Sequence, residues 1–183
     1  LKGGQLQALL SVRDDTITGY LDHVNELAYT FGTSMNDVHR NGFGLGQFAN
    51  DSGRDFFEGV ASIDRAARDI QVDATIQNST DAISVGSTAN APGDNVIGNM
   101  LINLKDQRMM DGGKATFVES YSNVIGRLGV ETERAEHYKD ASELLLNDLK
   151  ARSEAVSGVS LDEEASNMLK WQTAFTASSR VIT

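Results

Sequence analysis

Apolar residues recur at alternating spacings of four and three along three stretches of the chain, a pattern typical of helices that pack along one stripe. The first stretch covers residues 17–38 and predicts one helix. The second predicts a longer helix over residues 117–156, in which Gly126 and Gly129 are the weak points. The third comes last in the sequence, and its stripe consists of Leu161, Ala165, Met168, Gln172, Phe175, Ser179 and Ile182.

Two pairs of residues predict where the last two helices begin. In a capping box, a serine or threonine hydroxyl accepts a hydrogen bond from the amide three residues later, and the glutamate there accepts one from the amide of the capping residue. Thr116 with Glu119 predicts one helix start, and Ser160 with Glu163 predicts the other. Because the connection between the two helices is short, we expect them to be antiparallel neighbours.

Glycine and polar residues replace the helical pattern in residues 41–92, which we predict to be an irregular connection. Within it, apolar and polar residues alternate over residues 70–76, as they do in a strand. Asp94 is then a candidate N-cap for a further helix. The predicted fold class is mainly α, an elongated antiparallel helical bundle with long coiled-coil-like helices and at most a short β segment. Residues 1–183 form one helical core domain in this interpretation.

The charge of the chain narrows the range of partners. Sixteen basic and 26 acidic residues give a net charge of −10, so nucleic acid and anionic membrane surfaces would repel the chain. No apolar run reaches the length of about 18 residues that a membrane span needs. The chain has no cysteine, which excludes disulfides, thiol catalysis and cysteine metal sites. We therefore expect neither nucleic acid nor a membrane as a partner.

Residues that could support catalysis or bind a metal ion are few. His23, His39 and His137 form no zinc-binding pair, and we predict them to be ordinary surface or interhelix residues. The glycines at 42–46 follow a helix and lack a phosphate-loop lysine, which favours a linker. The segment at 51–55 resembles a calcium loop, but it has a central arginine and no glutamate at the twelfth position. The sequence predicts no enzyme, no metal site and no cofactor.

Five segments resemble the bacterial flagellar hook-associated protein 1 family, and they follow one another in the order of that family. The most specific is the run SGVSLDEE, which precedes a helix rich in glutamine and alanine. The other four are GGQLQALLSVRDD, MNDVHRNGFGLGQFANDSGRDFF, PGDNVIGNMLINLKDQ and GGKATFVESYSNVIGRLG. The resemblance covers most of the chain.

The resemblance implies a structural role in the bacterial flagellum. Members of the family form the junction between hook and filament, leave the cell through the flagellar type III export apparatus without a cleaved signal peptide, and assemble as a ring. The expected location is therefore the extracellular flagellum. The expected partners are further copies of the chain, the hook protein, the second junction protein and a flagellar export chaperone.

The resemblance also implies which surface carries assembly. Terminal helices pack in the inner tube of family proteins, and we expect this chain to be a fragment that lacks both terminal segments and is monomeric or only weakly self-associating. Residues 41–92 stand where many members have a larger β-rich domain, which looks reduced or absent here. The candidate packing residues on the last helix are Leu161, Met168, Trp171, Phe175 and Ile182; the alternative is that these residues pack within the chain.

Three other classes of protein stay open at this point. Another flagellar axial protein, such as flagellin or the second junction protein, would share the capped terminal helices. An extracellular sensory or adhesion bundle could also consist of acidic antiparallel helices, with membrane anchors outside this stretch. A small hydrolase is the third class, although no pairing of nucleophile and base is visible in the sequence.

Overall fold

The computed structural model of the chain describes residues 4–157 and 161–182, and it confirms a mainly α fold with little β structure. The chain divides into two compact units, Leu1–Leu128 and Gly129–Thr183. The helices are α1 (Gln5–Ser11), α2 (Thr18–His39), α3 (Ala66–Asp69), α4 (Ala74–Asn78), α5 (Val96–Asn103), α6 (Phe117–Ser157) and α7 (Leu161–Ile182). A π-helical stretch, Val12–Ile17, joins α1 to α2, and single 3₁₀ turns lie at Gly46–Phe48, Ile63–Arg65, Thr80–Ala82 and Leu104–Asp106.

The first unit contains a very small antiparallel sheet of β1 (Phe57–Glu58) and β2 (Gln71–Val72). The predicted strand over residues 70–76 is therefore wrong beyond Val72, because the chain enters α4. The carboxylate of Asp73 accepts a hydrogen bond from the Thr75 amide at 2.8 Å and so caps this helix. Ile76 is a buried residue of α4. Its alternation with polar neighbours in the sequence therefore does not indicate a strand.

Within the first unit, α2 runs antiparallel to the beginning of α6. The rings of Phe31 and Phe117 meet edge to face with their centroids 5.6 Å apart. About three helical turns away, the guanidinium of Arg127 lies 5.2 Å from the ring centroid of Tyr20. Residue numbers rise along α2 as they fall along α6, which fixes the antiparallel direction of this pair.

The connection between α2 and α5 packs closely against α2. Gly32 lies in the middle of α2, and a Cβ atom there would come within 2.5 Å of the Val60 side chain. Gly59 has φ +81°, and a Cβ atom there would collide with the carbonyl oxygen of Asp69. The connection is therefore folded structure held against the helix. The buried apolar residues of this unit are Ala28, Ala66, Ile76, Ala82, Ile97, Leu104, Met110 and Ala115.

Helix α6 continues without interruption through Gly126 and Gly129, so these glycines do not break it. It begins after a turn in which Asp111 and the two following glycines have positive φ. In the second unit, described side chains of α6 and α7 are exposed, except for half-buried Glu131. Among the described residues of this unit, no apolar stripe is buried between α6 and α7. The expectation that these two helices are antiparallel neighbours stays a prediction. The assignment of residues 1–183 to one domain stays a prediction.

Candidate functional site

One face of α2 holds the connection through side-chain hydrogen bonds. Asn36 is only 2% exposed. Its Oδ1 accepts hydrogen bonds from the amides of Phe56 and Phe57, and its Nδ2 donates to the Phe57 carbonyl, all at 2.8 Å. Nearer the start of the helix, Asn25 donates to the carbonyl of Asp64 at 2.9 Å and accepts from the amide of Ala67 at 3.1 Å. These bonds pair backbone groups that short, irregular segments cannot pair among themselves.

His39 is the last residue of α2 and is fully buried. Its Nδ1 lies 2.8 Å from the carbonyl oxygen of Arg54, and its Nε2 accepts a hydrogen bond from the amide of Ser84 at 2.8 Å. Its ring also meets that of Phe56 edge to face at 5.4 Å. The prediction of an ordinary surface or interhelix histidine is therefore wrong for His39, because the ring joins two loops to the helix.

The segment that resembles a calcium loop is occupied by ion pairs. Arg54 donates to the carbonyl of Ala82 at 3.0 Å, pairs with the carboxylate of Asp51, and lies over the ring of Phe48 at 4.5 Å. Arg40 makes a two-pronged pair with Asp55, in which the Nη2–Oδ2 distance is 3.0 Å. Arginine thus occupies the position where a cation would have to bind these carboxylates.

Asp94 organises the loop before α5. Its Oδ1 accepts a hydrogen bond from the amide of Val96 at 3.0 Å. Its Oδ2 accepts from the amide and hydroxyl of Ser87 at 2.7 and 2.8 Å and from the amide of Thr88 at 3.0 Å. The bond from Val96, followed by those from Ser87, lowers the pKa of Asp94 to about 2. The residue in the N-cap position of α5 is Asn95, so Asp94, the predicted N-cap, lies one position before it.

The two predicted capping boxes differ in what the structure describes of them. The amide of Thr116 donates to Glu119 Oε2 at 2.9 Å, and the amide of Glu119 donates to Thr116 Oγ1 at 3.2 Å. These are the two reciprocal bonds of a capping box at the start of α6. The hydrogen bond from Thr116 lowers the pKa of Glu119. The box of Ser160 and Glu163 lies outside the described residues, because Ser160 is not described.

The candidate packing residues on α7 are exposed. The side chains of Met168, Trp171 and Phe175 are 72%, 76% and 76% exposed. The side chains of Leu161 and Ile182 lie outside the described residues. Packing within the described chain does not account for the three apolar side chains that can be assessed. They form an exposed apolar surface on α7.

Two further helical segments also expose apolar side chains. On α1, the π-helical stretch and the first part of α2 these are Leu6, Leu9, Val12, Ile17, Leu21 and Val24. On α6 they include Tyr121, Ile125, Leu128, Tyr138, Leu145 and Leu149. Both sets largely follow the four-three rhythm of the sequence. The rhythm therefore occurs on exposed helix surfaces as well as on surfaces packed within the chain.

The described residues do not gather the groups that metal chemistry needs. Within them, no cluster of three or more histidine, aspartate and glutamate side chains could hold a metal ion. None of the described helices has both the length and the apolar composition for crossing a membrane. The surface features that remain to be explained are the exposed apolar helix faces.

The polar face of α2 was not predicted from the sequence. Asn25, Gly32, Asn36 and His39 are spaced by seven, four and three residues, so they share one face of the helix. The apolar rhythm predicts only the neighbouring stripe. It does not distinguish the two buried polar residues, Asn36 and His39, from polar residues that face water. A helical spacing of small and hydrogen-bonding residues was the available signal.

Two family descriptions match different parts of the chain. Residues 1–57 match "Flagellar hook-associated protein FlgK helical domain". Residues 153–183 match "Flagellar basal body rod FlgEFG protein C-terminal". The first covers α1, α2 and part of the connection, and the second covers the end of α6 and all of α7. No solved structure is significantly similar to the chain.

Curated relatives include three flagellar proteins of the same name. The chain is 33% identical to flagellar hook-associated protein 1 of Bacillus subtilis strain 168 over 168 residues, which is 89% of this chain and 32% of that protein. It is 28% identical to the Salmonella typhimurium LT2 protein and 26% identical to the Escherichia coli K12 protein, each over 89 residues. Those two alignments cover 49% of this chain and 16% of each relative. The chain thus spans a third or less of the relatives' length.

Proposed function

The chain belongs to the flagellar hook-associated protein 1 family, and we propose that it is part of a structural subunit at the junction between the flagellar hook and filament. The observation that carries this proposal is the similarity to the Bacillus subtilis protein over 89% of the chain. The family matches of residues 1–57 and 153–183 include the α2 segment and the last helix, so the proposal does not rest on one motif.

In this role the protein is structural and lies outside the cell, in the flagellum. Its partners are further copies of itself in a ring, the hook protein on one side and the second junction protein on the other, with an export chaperone before assembly. Residues 1–183 are the helical core domain, and residues 41–92 are a small substitute for a larger outer domain. No catalytic step or cofactor is part of this function.

The exposed apolar face of α7 is the proposed contact surface. Met168, Trp171 and Phe175 lie at spacings of three and four, and the same stripe includes Leu161 and Ile182. Burying one such side chain contributes about 1.5–3 kcal/mol, so a few of them suffice to hold a helix in an assembly. Apart from those partners, the chain is expected to be monomeric or weakly associating.

The alternative supported by an observation is that the chain belongs to another subunit of the flagellar axis. The match of residues 153–183 to a rod-protein family means that α7 alone does not distinguish junction proteins from other axial subunits. The match of residues 1–57 to the FlgK helical domain favours the junction.

The test is deletion of the parent gene in a strain that carries no second copy, followed by electron microscopy of the flagella. The proposal predicts hooks without filaments and flagellin in the medium, and restoration of filaments by the intact gene. Normal filaments and swimming in the deletion strain would exclude the junction role. Loss of hooks as well would instead favour a rod or hook position.

A further inference from the structure

Three separate segments of the first unit meet at the His39 ring. The ring belongs to the end of α2, the carbonyl of Arg54 belongs to the loop before β1, and the amide of Ser84 belongs to the segment after the third 3₁₀ turn. These partners are 15 and 45 residues away in sequence. One side chain therefore fastens two distant loops to one helix.

The two hydrogen bonds require opposite roles from the two ring nitrogens. A carbonyl oxygen only accepts, so Nδ1 carries the proton that is donated to Arg54. A backbone amide only donates, so Nε2 must offer its lone pair to Ser84. The neutral ring with its proton on Nδ1 is the only form that satisfies both. Protonation of Nε2 would place two N–H groups against each other at 2.8 Å.

The surroundings of the ring favour the neutral form. Burial is the main cause that lowers the pKa of His39, and the positive charge of Arg54 acts in the same direction. The hydrogen bond to the Arg54 carbonyl and the carboxylates of Asp55 and Asp73 oppose the shift. Asp55 is itself paired with Arg40. Phe56 covers the ring edge to face.

We propose that His39 is an acid-sensitive latch, which fastens the Arg54 loop and the Ser84 segment to α2 when it is neutral and releases them when it is protonated. The hydrogen bonds within α2 do not involve the ring, so the helix persists when the latch opens. The Ser84 segment also bonds to the turn after α2, where the amide of Phe43 donates to Gly86 at 2.8 Å. Release at His39 loosens this contact next, because both bonds hold the same segment.

Hydrogen exchange at the Ser84 amide measures the latch directly. In the open form, in which the two loops are released, His39 has an ordinary pKa of about 6.5. The equilibrium constant between the closed and open forms should therefore shift about tenfold towards the open form between pH 7.5 and pH 5.5. The protection factor of the Ser84 amide, corrected for its intrinsic exchange rate, should fall by that factor in the 183-residue chain. Amides in the middle of α2 should keep their protection.

His39→Gln is the matched variant, because a glutamine amide can donate to one backbone group and accept from another but does not titrate. In this variant, the protection factor of Ser84 should change less than twofold over the same pH range. His137→Gln, on the exposed face of α6, should retain the wild-type tenfold change. A tenfold change that persists in His39→Gln would overturn the proposal.

A second measurement on the wild-type chain decides the matter if His39→Gln does not fold. The ring of His39 is titrated by nuclear magnetic resonance while the Ser84 amide is followed in the same samples. The proposal requires a titration midpoint below 6.5 and loss of Ser84 protection as the ring becomes charged. A midpoint at or above 6.5, or a charged ring with full protection of Ser84, contradicts it.

Discussion

Asn36 and Phe57 exchange hydrogen bonds in both directions: the amide nitrogen of the Asn36 side chain donates to the Phe57 carbonyl and its oxygen accepts from the Phe57 amide, both at 2.8 Å. The side chain thus pairs with the backbone of β1 as a neighbouring strand would. Because β1 pairs with only two residues of β2, this contact compensates for a sheet too small to hold itself. The helix therefore positions the connection that follows it.

Asn36→Ala should destabilise the chain strongly. The substitution leaves the amides of Phe56 and Phe57 and the carbonyl of Phe57 without their partner in a buried place. The expected loss in free energy of unfolding is about 2–4 kcal/mol, measured by urea unfolding. Asp37→Ala, on the exposed side of the same helical turn, is the control and should change stability by less than about 0.5 kcal/mol. Equal losses in the two variants would show that the Asn36 contacts contribute little.

Ser84→Ala should leave stability unchanged or raise it slightly. The Ser84 hydroxyl is buried and has no hydrogen-bond partner in the described structure, whereas its backbone amide is bonded to His39. Alanine keeps the backbone bond and removes a polar group that folding desolvates without compensation. The same urea titration should give a change within about 0.5 kcal/mol or a gain. A loss of several times that size would mean that the hydroxyl has a partner, such as an ordered water.

Long helices were predictable from the sequence because their apolar rhythm extends over many turns. The starts of α2 and α6 lie within a residue or two of the predicted positions. The start of α6 was predictable because its capping bonds join Thr116 and Glu119, which are close in sequence. The pairing of loops with Asn36 and His39 was not predictable in the same way. It depends on contacts between residues far apart in sequence, and polar residues in a helix usually face water.

The prediction of a strand over residues 70–76 was wrong for a related reason. A short stretch of alternating residues is compatible with a strand or with a capped turn of helix. Here the Asp73 carboxylate accepts a hydrogen bond from the Thr75 amide, which favours the helix. The exposed face of α7 shows the opposite limit. The sequence identified the stripe, but its spacing does not say whether the stripe is covered within the chain or by another molecule.

Asp94→Asn should weaken the dependence of the free energy of unfolding on pH in the acid range. Since folding lowers the pKa of Asp94 from 3.8 to about 2, the folded chain binds this proton more weakly than the unfolded chain. The contribution of Asp94 is therefore fully present above the unfolded value and is lost as the pH falls from 3.8 towards 2.

Urea unfolding at several values between pH 5 and pH 2.5 measures this effect. The wild-type chain should lose more stability over that range than Asp94→Asn, which should be less stable at pH 5. Asp106→Asn is the control, because the Asp106 carboxylate is exposed and pairs only at 3.8 Å with the adjacent Lys105 in the described ion pairs. If both variants keep the wild-type slope, the loop bonds of Asp94 do not couple to stability.

Phe175→Asp should impair assembly without unfolding the chain. Phe175 is exposed, so a polar residue there should change the free energy of unfolding by less than about 0.5 kcal/mol. In the deletion strain, however, the intact gene with this substitution should fail to restore filaments, because a charge would enter an apolar contact.

Thr173→Asp is the matched control for this prediction. Two residues correspond to about 200° around the helix, so Thr173 lies on nearly the opposite side of α7 from Phe175. The same charge at Thr173 should leave swimming and filament number close to those of wild type. Equal loss in both variants would mean that α7 tolerates no charge on any side, and equal restoration would remove the Phe175 face from the proposed contact.

The most direct test of the junction assignment is immunogold electron microscopy of intact flagella with antibodies raised against the 183-residue chain. The deletion strain shows whether the antibodies are specific. We predict gold at one place on each flagellum, where the hook meets the filament. Gold along the whole filament, at the base of the hook or over the cell body would contradict it, and would favour a flagellin-like subunit, a rod protein or a surface bundle respectively.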